Sequence, residues 1–463
     1  MVYALVIAAG LFVSLGIAVN GLFLIPFCIL LAYFKIEMIY FVLCMAILPG
    51  SAFIGQHAAA SIVFAIMAYS FLIKEKLRVI NFGIKDSLNF FVLLYFCWEF
   101  LELVLAGNYI DLSGAMKAAT ELIVLSGIFI IISSYVDREK RMSRLVIVML
   151  VVAAAESILA IMQHYSGSFF FTPVNDLKDT FEFVPREILG YIFPSISIYA
   201  REARGTFGHW NVLGNYLTLF ATLALALAIN KKNDIKRNFF YGAFSVIIFT
   251  GLYFSYSRGS LLGALIAVLA IVFLENSLKG RIALVSAVAG ISGLIAYYLK
   301  DNIMAYWNNT QELTIRMVYW KETMQNIFGS ALVFLFGNHY FVATGQESIT
   351  KAYGWTPLGH NSYITILESR GIIGLLLILS VIFLALKRFY AFYREAPSAN
   401  LKYTSIGLFG AVLAFGISQL FDHKLAYFID IRIFFFTIIA LNVAMKRIIS
   451  GGTANINEGP VSK

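Results

Sequence analysis

Long apolar stretches recur along the whole chain, and they constrain its fold more than any other feature of the sequence. Runs of roughly 17–25 residues with few charges follow one another, and a helix of that length crosses the hydrocarbon core of a bilayer. Of the 463 residues, 60% are hydrophobic and only 13% are charged, which is far more apolar than an average soluble domain. The runs are continuous rather than alternating, as spanning helices require. The chain is therefore predicted to be an all-α polytopic integral membrane protein.

About 12–14 transmembrane helices are predicted, because the first two apolar segments can also form one kinked hairpin. The segments are residues 2–19, 21–34, 38–55, 58–73, 88–106, 115–134, 144–163, 207–229, 238–255, 259–275, 281–299, 364–386, 403–421 and 427–446. They divide the chain into an N-terminal transmembrane bundle, a first large outer loop, central helices, a second large outer loop, C-terminal helices and a flexible tail: residues 1–163, 164–206, 207–299, 300–359, 360–447 and 448–463.

Basic residues cluster in the short connections, and the clusters all fall on one side of the membrane when the spans are counted. The clusters are residues 74–78, 137–144, 231–237, 279–281, 387–402 and 446–447. The positive-inside rule makes this side cytoplasmic, so both termini are expected in the cytoplasm and the two long loops on the outer side. The net charge of +9 then needs no nucleic-acid partner. Loops of this length in a compact protein are usually functional.

The stretch RGTFGHWNVLGNYL, residues 204–217, places polar groups where an apolar helix is predicted to begin. Arg204 and His209 lie at its outer mouth, and Gly205 lets the backbone turn tightly. A helix N-terminus also offers free N–H groups to an anion. Asn211 and Asn215 share one helix face. The alternative is an ordinary interfacial cap with an arginine that reaches the lipid headgroups.

Two further arginines are predicted on the outer side. Arg258 is the only charge in the short turn FSYSRGSLLG, where a basic residue runs against the positive-inside rule. In the second long loop, Arg316, Tyr319 and Trp320 share one face if the segment is helical, and a planar cation beside aromatic rings suits sugar or phosphate recognition. The alternatives are a lipid anchor for Arg258 and an amphipathic helix on the membrane surface for the loop.

The stretch GHNSYITILESRGIIGLLLILS is the most informative part of the sequence. His360 and Asn361 stand at the outer end of a predicted span, whereas Glu368 and Arg370 lie about 12–15 Å further along a helix. Charges at that depth are costly unless they are paired or hydrated. The segment is therefore expected either to line a polar cavity or to bend at Gly371. The alternative for Glu368 is a structural ion pair with an arginine of another helix.

Other parts of the sequence carry weaker signals. Asp422, His423 and Lys424 fall in a short outer turn, for which a solvated connection is the preferred interpretation. The chain contains no HExxH or paired-histidine metal motif and no glycine-rich P-loop. Neither a metal nor another cofactor is therefore predicted.

The predicted topology brings distant residues to one membrane face. Arg204, Arg258, Arg316 and His360 come from four separate parts of the chain, yet all are placed on the outer side. Guanidinium groups that lie close together repel one another unless an anion is bound between them. A diphosphate accepts bidentate arginine contacts, and it is the simplest anion to propose.

Together these stretches resemble the O-antigen ligase and polymerase superfamily of bacterial envelope glycosyltransferases. The resemblance rests on RGTFGHWNVLGNYL, YSRGSLLG, RMVYW with FGNHYF, and HNSYITILESRGIIGL, and it covers about residues 200–390. The histidine–asparagine pair followed by GIIG looks like the histidine motif associated with the ligases, and polymerases can show a similar one.

This resemblance implies a GT-C-like fold in the bacterial inner membrane, with outer loops and short helices that form a periplasmic cavity. It implies a metal-independent glycosyltransferase whose donor is a glycan on undecaprenyl diphosphate. The acceptor is lipid A-core for a ligase, or a lipid-linked glycan for a polymerase. We then expect Arg204, Arg258 and Arg316 to bind the diphosphate, and His360, with Glu368 as second candidate, to act as the base. The residues expected to support the glycan are His209, Asn211, Tyr319, Trp320 and Asn361.

Two rival functions stay open at the level of the sequence. A flippase or transporter for lipid-linked saccharides would place charges along a path through the bilayer, whereas the predicted polar groups gather at one face. A peptidoglycan-type membrane polymerase would need an outer carboxylate, for which Asp422 is the candidate.

Overall fold

The computed structural model describes residues 86–105, 112–166, 202–207, 209–275, 310–338 and 360–457, and the regular elements within these ranges are all α-helices. The helices are Ser87–Leu105 (α1), Leu112–Tyr135 (α2), Glu139–Ser166 (α3), Trp210–Ala228 (α4), Ile235–Phe254 (α5), Arg258–Glu275 (α6), Thr310–Gly329 (α7), Ala331–Phe336 (α8), Ser362–Glu395 (α9), Ala399–Ser418 (α10), Lys424–Tyr427 (α11) and Ile429–Asn457 (α12).

Among the described residues, 8 helices are long and apolar enough to cross a membrane: α1, α2, α3, α4, α6, α9, α10 and α12. The prediction of an all-helical, polytopic membrane protein is confirmed for this part of the chain. Each predicted span within the described residues corresponds to one helix. The span predicted at 238–255 corresponds to α5, which is not among these 8 helices. The predicted spans at 2–19, 21–34, 38–55, 58–73 and 281–299 lie outside the described residues, so the total of 12–14 stays a prediction.

One end of the bundle, which we call the basic end, joins α1, α3, α9, α10 and α12. Asp86 lies 2.7 Å from Arg388 and 2.7 Å from Lys446, so the start of α1 meets α9 and α12. Glu139 at the start of α3 accepts a hydrogen bond from Ser398 at 2.9 Å, which adds the start of α10. These contacts bring together three of the basic clusters noted in the sequence: residues 137–144, 387–402 and 446–447. The clusters at 74–78 and 279–281 lie outside the described residues.

The opposite end, which we call the polar end, collects the segments that were predicted on the outer side. The Ala203 N–H donates to the Phe254 carbonyl at 2.9 Å, so the segment before α4 joins the end of α5. The Ser362 N–H donates to the Asp422 carbonyl at 2.7 Å, so the start of α9 joins the turn after α10. Asn215 of α4 donates to the Asp422 carboxylate at 2.8 Å. The predicted convergence of these segments at one end is therefore present in the fold.

Small residues let α10 pack closely against α4 and α6. A methyl group on Gly410 would lie 2.7 Å from Ile271 of α6 and 3.0 Å from Thr222 of α4. Such close approach of backbones is a common device of helix packing in membranes, where the hydrophobic effect does not drive helices together. This packing fixes α4, α6 and α10 relative to one another. The starts of α4 and α6 and the end of α10 belong to the polar end.

α9 is interrupted at Gly371, whose φ of 63° and ψ of −176° are open to glycine and costly for other residues. Two carbonyls beside the break are capped from outside the helix. The Asn338 N–H donates to the Glu368 carbonyl at 2.7 Å, and Trp98 Nε1 donates to the Arg370 carbonyl at 3.1 Å. The predicted bend at Gly371 is confirmed.

Five charged side chains form a cluster inside the spans, which we call the intramembrane charge cluster. Arg432 of α12 donates to both carboxylate oxygens of Glu99 of α1, at 2.5 and 2.6 Å, and it also binds Glu121 of α2. Arg370 of α9 lies 3.0 Å from Glu99 and 3.6 Å from Glu102. The cluster lies towards the polar end, because Arg432 is the fourth residue of α12 and Arg370 Nη2 donates to the Ala426 carbonyl of α11 at 3.4 Å. Mutual pairing makes these charges tolerable inside a bilayer.

Candidate functional site

The loop that carries Arg204 is attached to α3 by two polar side chains. Gln163 Oε1 accepts from the N–H groups of Arg204 and Gly205, at 3.0 and 2.8 Å, while Gln163 Nε2 donates to the Gly205 carbonyl at 2.7 Å. Glu156 accepts from the N–H and the hydroxyl of Thr206, at 3.0 and 2.9 Å. Gly205 has a φ of 61°, so the predicted tight glycine turn before α4 is confirmed. These bonds fix the backbone from which the Arg204 side chain projects.

Arg204, Trp210 and His209 form a stack at the start of α4. The guanidinium carbon of Arg204 lies 5.4 Å from the Trp210 ring centroid, and the His209 ring stacks on Trp210 with centroids 4.0 Å apart. His209 is the N-cap of α4, because its side chain accepts a hydrogen bond from the Asn211 N–H at 3.0 Å. Arg204 is only 6% exposed. The alternative of an arginine that reaches out to lipid headgroups is therefore wrong, and the aromatic faces set its position.

His360 and Asn361 open α9, as the sequence predicted. Asn361 is the N-cap, and its Oδ1 accepts from the N–H groups of Tyr363 and Ile364, at 3.0 and 3.1 Å. His360 has a φ of 42°, a left-handed backbone that is uncommon for residues other than glycine and asparagine. The His360 ring meets the His423 ring at a centroid distance of 5.3 Å and an interplanar angle of 81°. The first turn of α9 thus brings one imidazole against another from the turn between α10 and α12.

The turn between α10 and α12, residues 419–428, lies at the centre of the polar end, and we call it the central turn. Asp422, His423 and Lys424 are 3%, 1% and 2% exposed, so the interpretation of this segment as a solvated connection is wrong. One oxygen of Asp422 accepts from Asn215 at 2.8 Å, and the other lies 3.5 Å from His423 Nδ1 and 3.8 Å from Lys424 Nζ. Gln419 Nε2 donates to Asn215 Oδ1 at 2.6 Å. Buried amide hydrogen bonds to α4 therefore hold the turn in place of water.

Burial and nearby cations keep two histidines of the polar end neutral. Burial lowers the pKa of His423 to about 2, and the positive charges of Lys424 and Arg316 act in the same direction. Burial likewise lowers the pKa of His209, and Lys424 and Arg204 add to that shift. Charges act in this way only over short distances. Arg204 lies against the Trp210 ring on which His209 stacks, and Lys424 adjoins His423 in the chain, so these two cations lie beside the two histidines. The charge of Arg316 acts on His423 from α7.

Acidification is expected to destabilise the protein through His423. Its pKa is about 2 in the folded protein and 6.5 as the ordinary value, so between these values the unfolded chain binds more protons and stability falls as the pH falls. Between pH 6.5 and pH 5 this one group costs roughly 2 kcal/mol. The Tm of the detergent-purified protein should drop over this interval, and the His423→Asn variant should show a flatter dependence. Equal slopes in the two proteins would contradict the expected effect.

The second long loop contains the predicted helix, α7, and it packs on the polar end. Tyr319 is 3% exposed, and its hydroxyl donates to Glu368 Oε2 at 3.0 Å. Arg316 and Trp320, on the same face of α7, are half-buried. The alternative in which Glu368 pairs with an arginine is wrong within the described residues, because Tyr319 binds its carboxylate while Arg370 lies beside the carboxylates of α1. α7 is therefore attached to the bundle through a buried polar contact.

Arg258 lies at the rim of the polar end, outside its buried centre. It is the first residue of α6 and it is exposed. The neighbouring Gly259 packs against Phe421, whose Cβ a methyl group at that glycine would approach to 2.7 Å. Since Phe421 precedes Asp422, this contact puts the start of α6 beside the central turn. The structure thus brings Arg258 to the same end as the other predicted arginines and leaves it on the surface.

Three groups of the polar end have the spacing of metal ligands. The ligand atoms of His360, Asp422 and His423 all lie within 4.8 Å of one another. Burial raises the pKa of Asp422, and the charges of Lys424 and Arg316 oppose that shift. Because cations already surround the single carboxylate, a further cation is electrostatically disfavoured there. The surroundings suit an anion better than a metal ion.

Sequence reasoning missed the side chains that hold the site together. Glu156 and Gln163 stand seven residues apart in an apolar run, a spacing that puts both on one helix face. His423 and Lys424 follow Asp422 in a connection too short to hold three ionisable groups in lipid without partners. These two patterns are the signals in the sequence that point to the anchors of the Arg204 loop and to the buried central turn.

No protein-family model matches the chain, and no curated protein matches it. What the site can do chemically therefore follows from its own geometry. At the polar end, Arg204 and Lys424 are buried cations, which suit an anion. His360, whose ring meets the His423 ring at 5.3 Å, is the candidate proton acceptor for a neighbouring hydroxyl.

Proposed function

We propose that the protein is a membrane glycosyltransferase that moves a glycan from undecaprenyl diphosphate to a sugar hydroxyl, in the manner of an O-antigen ligase. The observation that carries this proposal is the meeting of buried cations and imidazoles at the polar end. Arg204 lies 5.4 Å from the Trp210 ring on which His209 stacks. Lys424 lies 3.8 Å from Asp422, and the His360 ring meets the His423 ring at 5.3 Å. A departing diphosphate has the charge that such a cluster stabilises. A sugar hydroxyl has the proton that an imidazole accepts.

The proposal includes an orientation in the bacterial inner membrane. The polar end faces the periplasm, and the basic end faces the cytoplasm together with both termini, as the positive-inside rule favours. The two long loops, residues 164–206 and 300–359, would cover the polar end to form the cavity of a GT-C-like fold. The prenyl chain of the donor would lie in the bilayer between helices.

The arginines are assigned to the diphosphate. Transfer breaks the bond between the anomeric carbon and a phosphate oxygen, and that oxygen takes the negative charge. Arg204 and Arg316 can each make bidentate bonds to phosphate, and preorganised donors of this kind are worth about 3 kcal/mol each. Lys424 adds a buried point charge 3.8 Å from Asp422. Arg258 at the rim would meet the donor as it arrives from the membrane.

His360 is assigned to the acceptor. Its imidazole would accept the proton of the attacking hydroxyl while the new glycosidic bond forms and the bond to the diphosphate breaks. Side chains supply the positive charge that the leaving group needs, so the proposed reaction is metal-independent and uses no cofactor. The residues assigned to glycan support are His209, Asn211, Trp320 and Asn361, whereas Tyr319 of the same predicted group is buried against Glu368.

Reconstitution of the purified protein with a lipid-linked oligosaccharide tests the proposal and identifies the acceptor. A single mass shift of added lipid A-core would support a ligase. A ladder of lengthened lipid-linked chains, formed from the donor alone, would instead identify a polymerase. The absence of any transfer, combined with loss of periplasmic donor in cells that lack the protein, would overturn the proposal in favour of a flippase.

Arg316→Ala is expected to reduce the transfer rate by about 10²–10³-fold, because one preorganised donor to the leaving group is lost. Arg316→Lys should recover only part of the rate, since an ammonium cannot bind phosphate bidentately. The matched control is Lys321→Ala, which removes an exposed cation from the same helix and should leave the rate unchanged. A normal rate in Arg316→Ala, measured by donor consumption under single-turnover conditions, would remove Arg316 from the diphosphate site.

A further inference from the structure

The segment formed by α7 and α8 is attached to α9 at two points by one residue, Glu368. The Glu368 carboxylate accepts from the Tyr319 hydroxyl at 3.0 Å. The Glu368 carbonyl accepts from the Asn338 N–H at 2.7 Å. Because Tyr319 lies in the first half of α7 and Asn338 follows α8, the two bonds enclose the second half of α7 and all of α8. Glu368 is 7% exposed, so water competes weakly for either bond.

Backbone packing at the break in α9 reinforces the second bond. Gly337 has a φ of 80°, and a methyl group on it would lie 2.5 Å from the Arg370 nitrogen. The Phe336 ring stacks on Trp98 with centroids 5.9 Å apart, and Trp98 Nε1 donates to the Arg370 carbonyl at 3.1 Å. The end of α8 is thus packed into the break in α9. Tyr319, Thr323 and Ile327 form a buried face of α7, at 3%, 1% and 0% exposed, and the bond from Tyr319 to Glu368 is a polar contact that fixes the rotation of that face.

The rotation of α7 decides where Arg316 lies. Arg316 stands one helical turn before Tyr319 on the same face, and its charge acts on His423 in the central turn. We propose that Glu368 is a positioning residue. Its bond to Tyr319 holds α7 so that Arg316 reaches the diphosphate site of the polar end. This inference rests on the proposed function, and it gives Glu368 a role other than that of a proton acceptor.

Four variants test this clamp, by which we mean the hydrogen bond between Tyr319 and Glu368, in the transfer assay. Tyr319→Phe and Glu368→Ala should each lower kcat/KM for the donor by about tenfold through a higher KM, because each removes one buried hydrogen bond. The double variant should be no worse than Glu368→Ala alone, because both substitutions remove the same interaction. Glu368→Gln keeps an acceptor for the tyrosine and should stay within about threefold of the wild type. The control Tyr390→Phe changes an exposed tyrosine near the basic end of α9 and should have no effect.

The opposite pattern would overturn the inference. If Glu368→Gln abolishes turnover at unchanged KM while Tyr319→Phe behaves as the wild type, Glu368 acts as the base and not as a clamp. Additive losses in the double variant would also contradict the clamp, because independent contributions do not share one bond.

A distance measurement tests the clamp without any donor. Spin labels at Met317 on α7 and at Leu420 after α10 would use side chains that are 60% and 44% exposed, in a background from which the native cysteines have been replaced. The distance distribution should broaden in Tyr319→Phe and in Glu368→Ala, and stay narrow in Glu368→Gln. If the distance distributions of all variants match that of the wild type, the clamp is overturned, whatever the transfer rates are. Altered distributions in a protein that shows no transfer would leave the clamp standing and overturn the proposed function.

Discussion

The Arg432→Ala variant is expected to lose about 3–5 kcal/mol of folding free energy, because the substitution removes one partner of a buried ion-pair cluster. Arg432 binds Glu99 with two hydrogen bonds, at 2.5 and 2.6 Å, and also binds Glu121. After the substitution, Arg370 still lies beside Glu99, whereas Glu121 has lost Arg432, the cation that it binds. A charge left in a span without its partner has little water to hydrate it. Thermal unfolding in detergent should show the loss as a large decrease in Tm.

Two further variants separate charge burial from a general effect of losing an arginine. Arg138→Ala removes a guanidinium whose side chain is 64% exposed and which lies 3.6 Å from Asp137; such surface pairs are worth about 0–1 kcal/mol. The double variant Arg432→Leu with Glu121→Leu removes both charges and should recover part of the stability, because apolar pairs replace buried ion pairs well. A wild-type Tm for Arg432→Ala would show that water or another cation reaches the cluster.

The His360→Asn variant is expected to lose about 10²–10⁴-fold in kcat for glycan transfer, the usual contribution of a general base. Asparagine is the substitution of choice because His360 has a φ of 42°, and asparagine adopts this left-handed backbone more readily than most residues. The cap of α9 and the start of its first turn should therefore persist. Single-turnover transfer, measured with saturating donor, reports the chemical step directly.

Binding and a second histidine provide the controls for His360→Asn. The affinity for undecaprenyl diphosphate should stay close to the wild-type value, because the arginines and not the base bind the leaving group. His164→Asn changes a histidine of α3 that stacks on Phe254 at 4.2 Å, and it should leave kcat within about threefold because the proton transfer is assigned to His360 and not to His164. A kcat near the wild-type value in His360→Asn would make another group the base.

The length of the apolar runs was enough to predict most of the described helices. The predicted spans at 144–163 and 259–275 correspond to Glu139–Ser166 and Arg258–Glu275, because in a membrane the length of an apolar run and the need to satisfy backbone hydrogen bonds determine a helix almost alone. The bend at Gly371 was equally accessible, since it depends on local backbone chemistry.

The partners of the charged residues were not accessible in the same way. Nothing in the sequence around Arg370 points to Glu99, and nothing around Glu368 points to Tyr319. These pairs are 271 and 49 residues apart in the chain, by subtraction of their numbers, and they form because helix packing brings the two faces together. The solvated interpretation of Asp422, His423 and Lys424 failed for the same reason, since burial is a property of the neighbours.

The sequence by itself therefore determined the class of protein, the course of the described helices and the end of the bundle to which the polar segments go. Topology follows from counting spans, and counting needs no knowledge of which helix touches which. Only the tertiary structure decided which side chains of the polar end share a site, which charges in the spans neutralise one another, and that Tyr319 of α7 binds Glu368. Those results depend on distances of a few ångströms between parts of the chain that no local pattern relates.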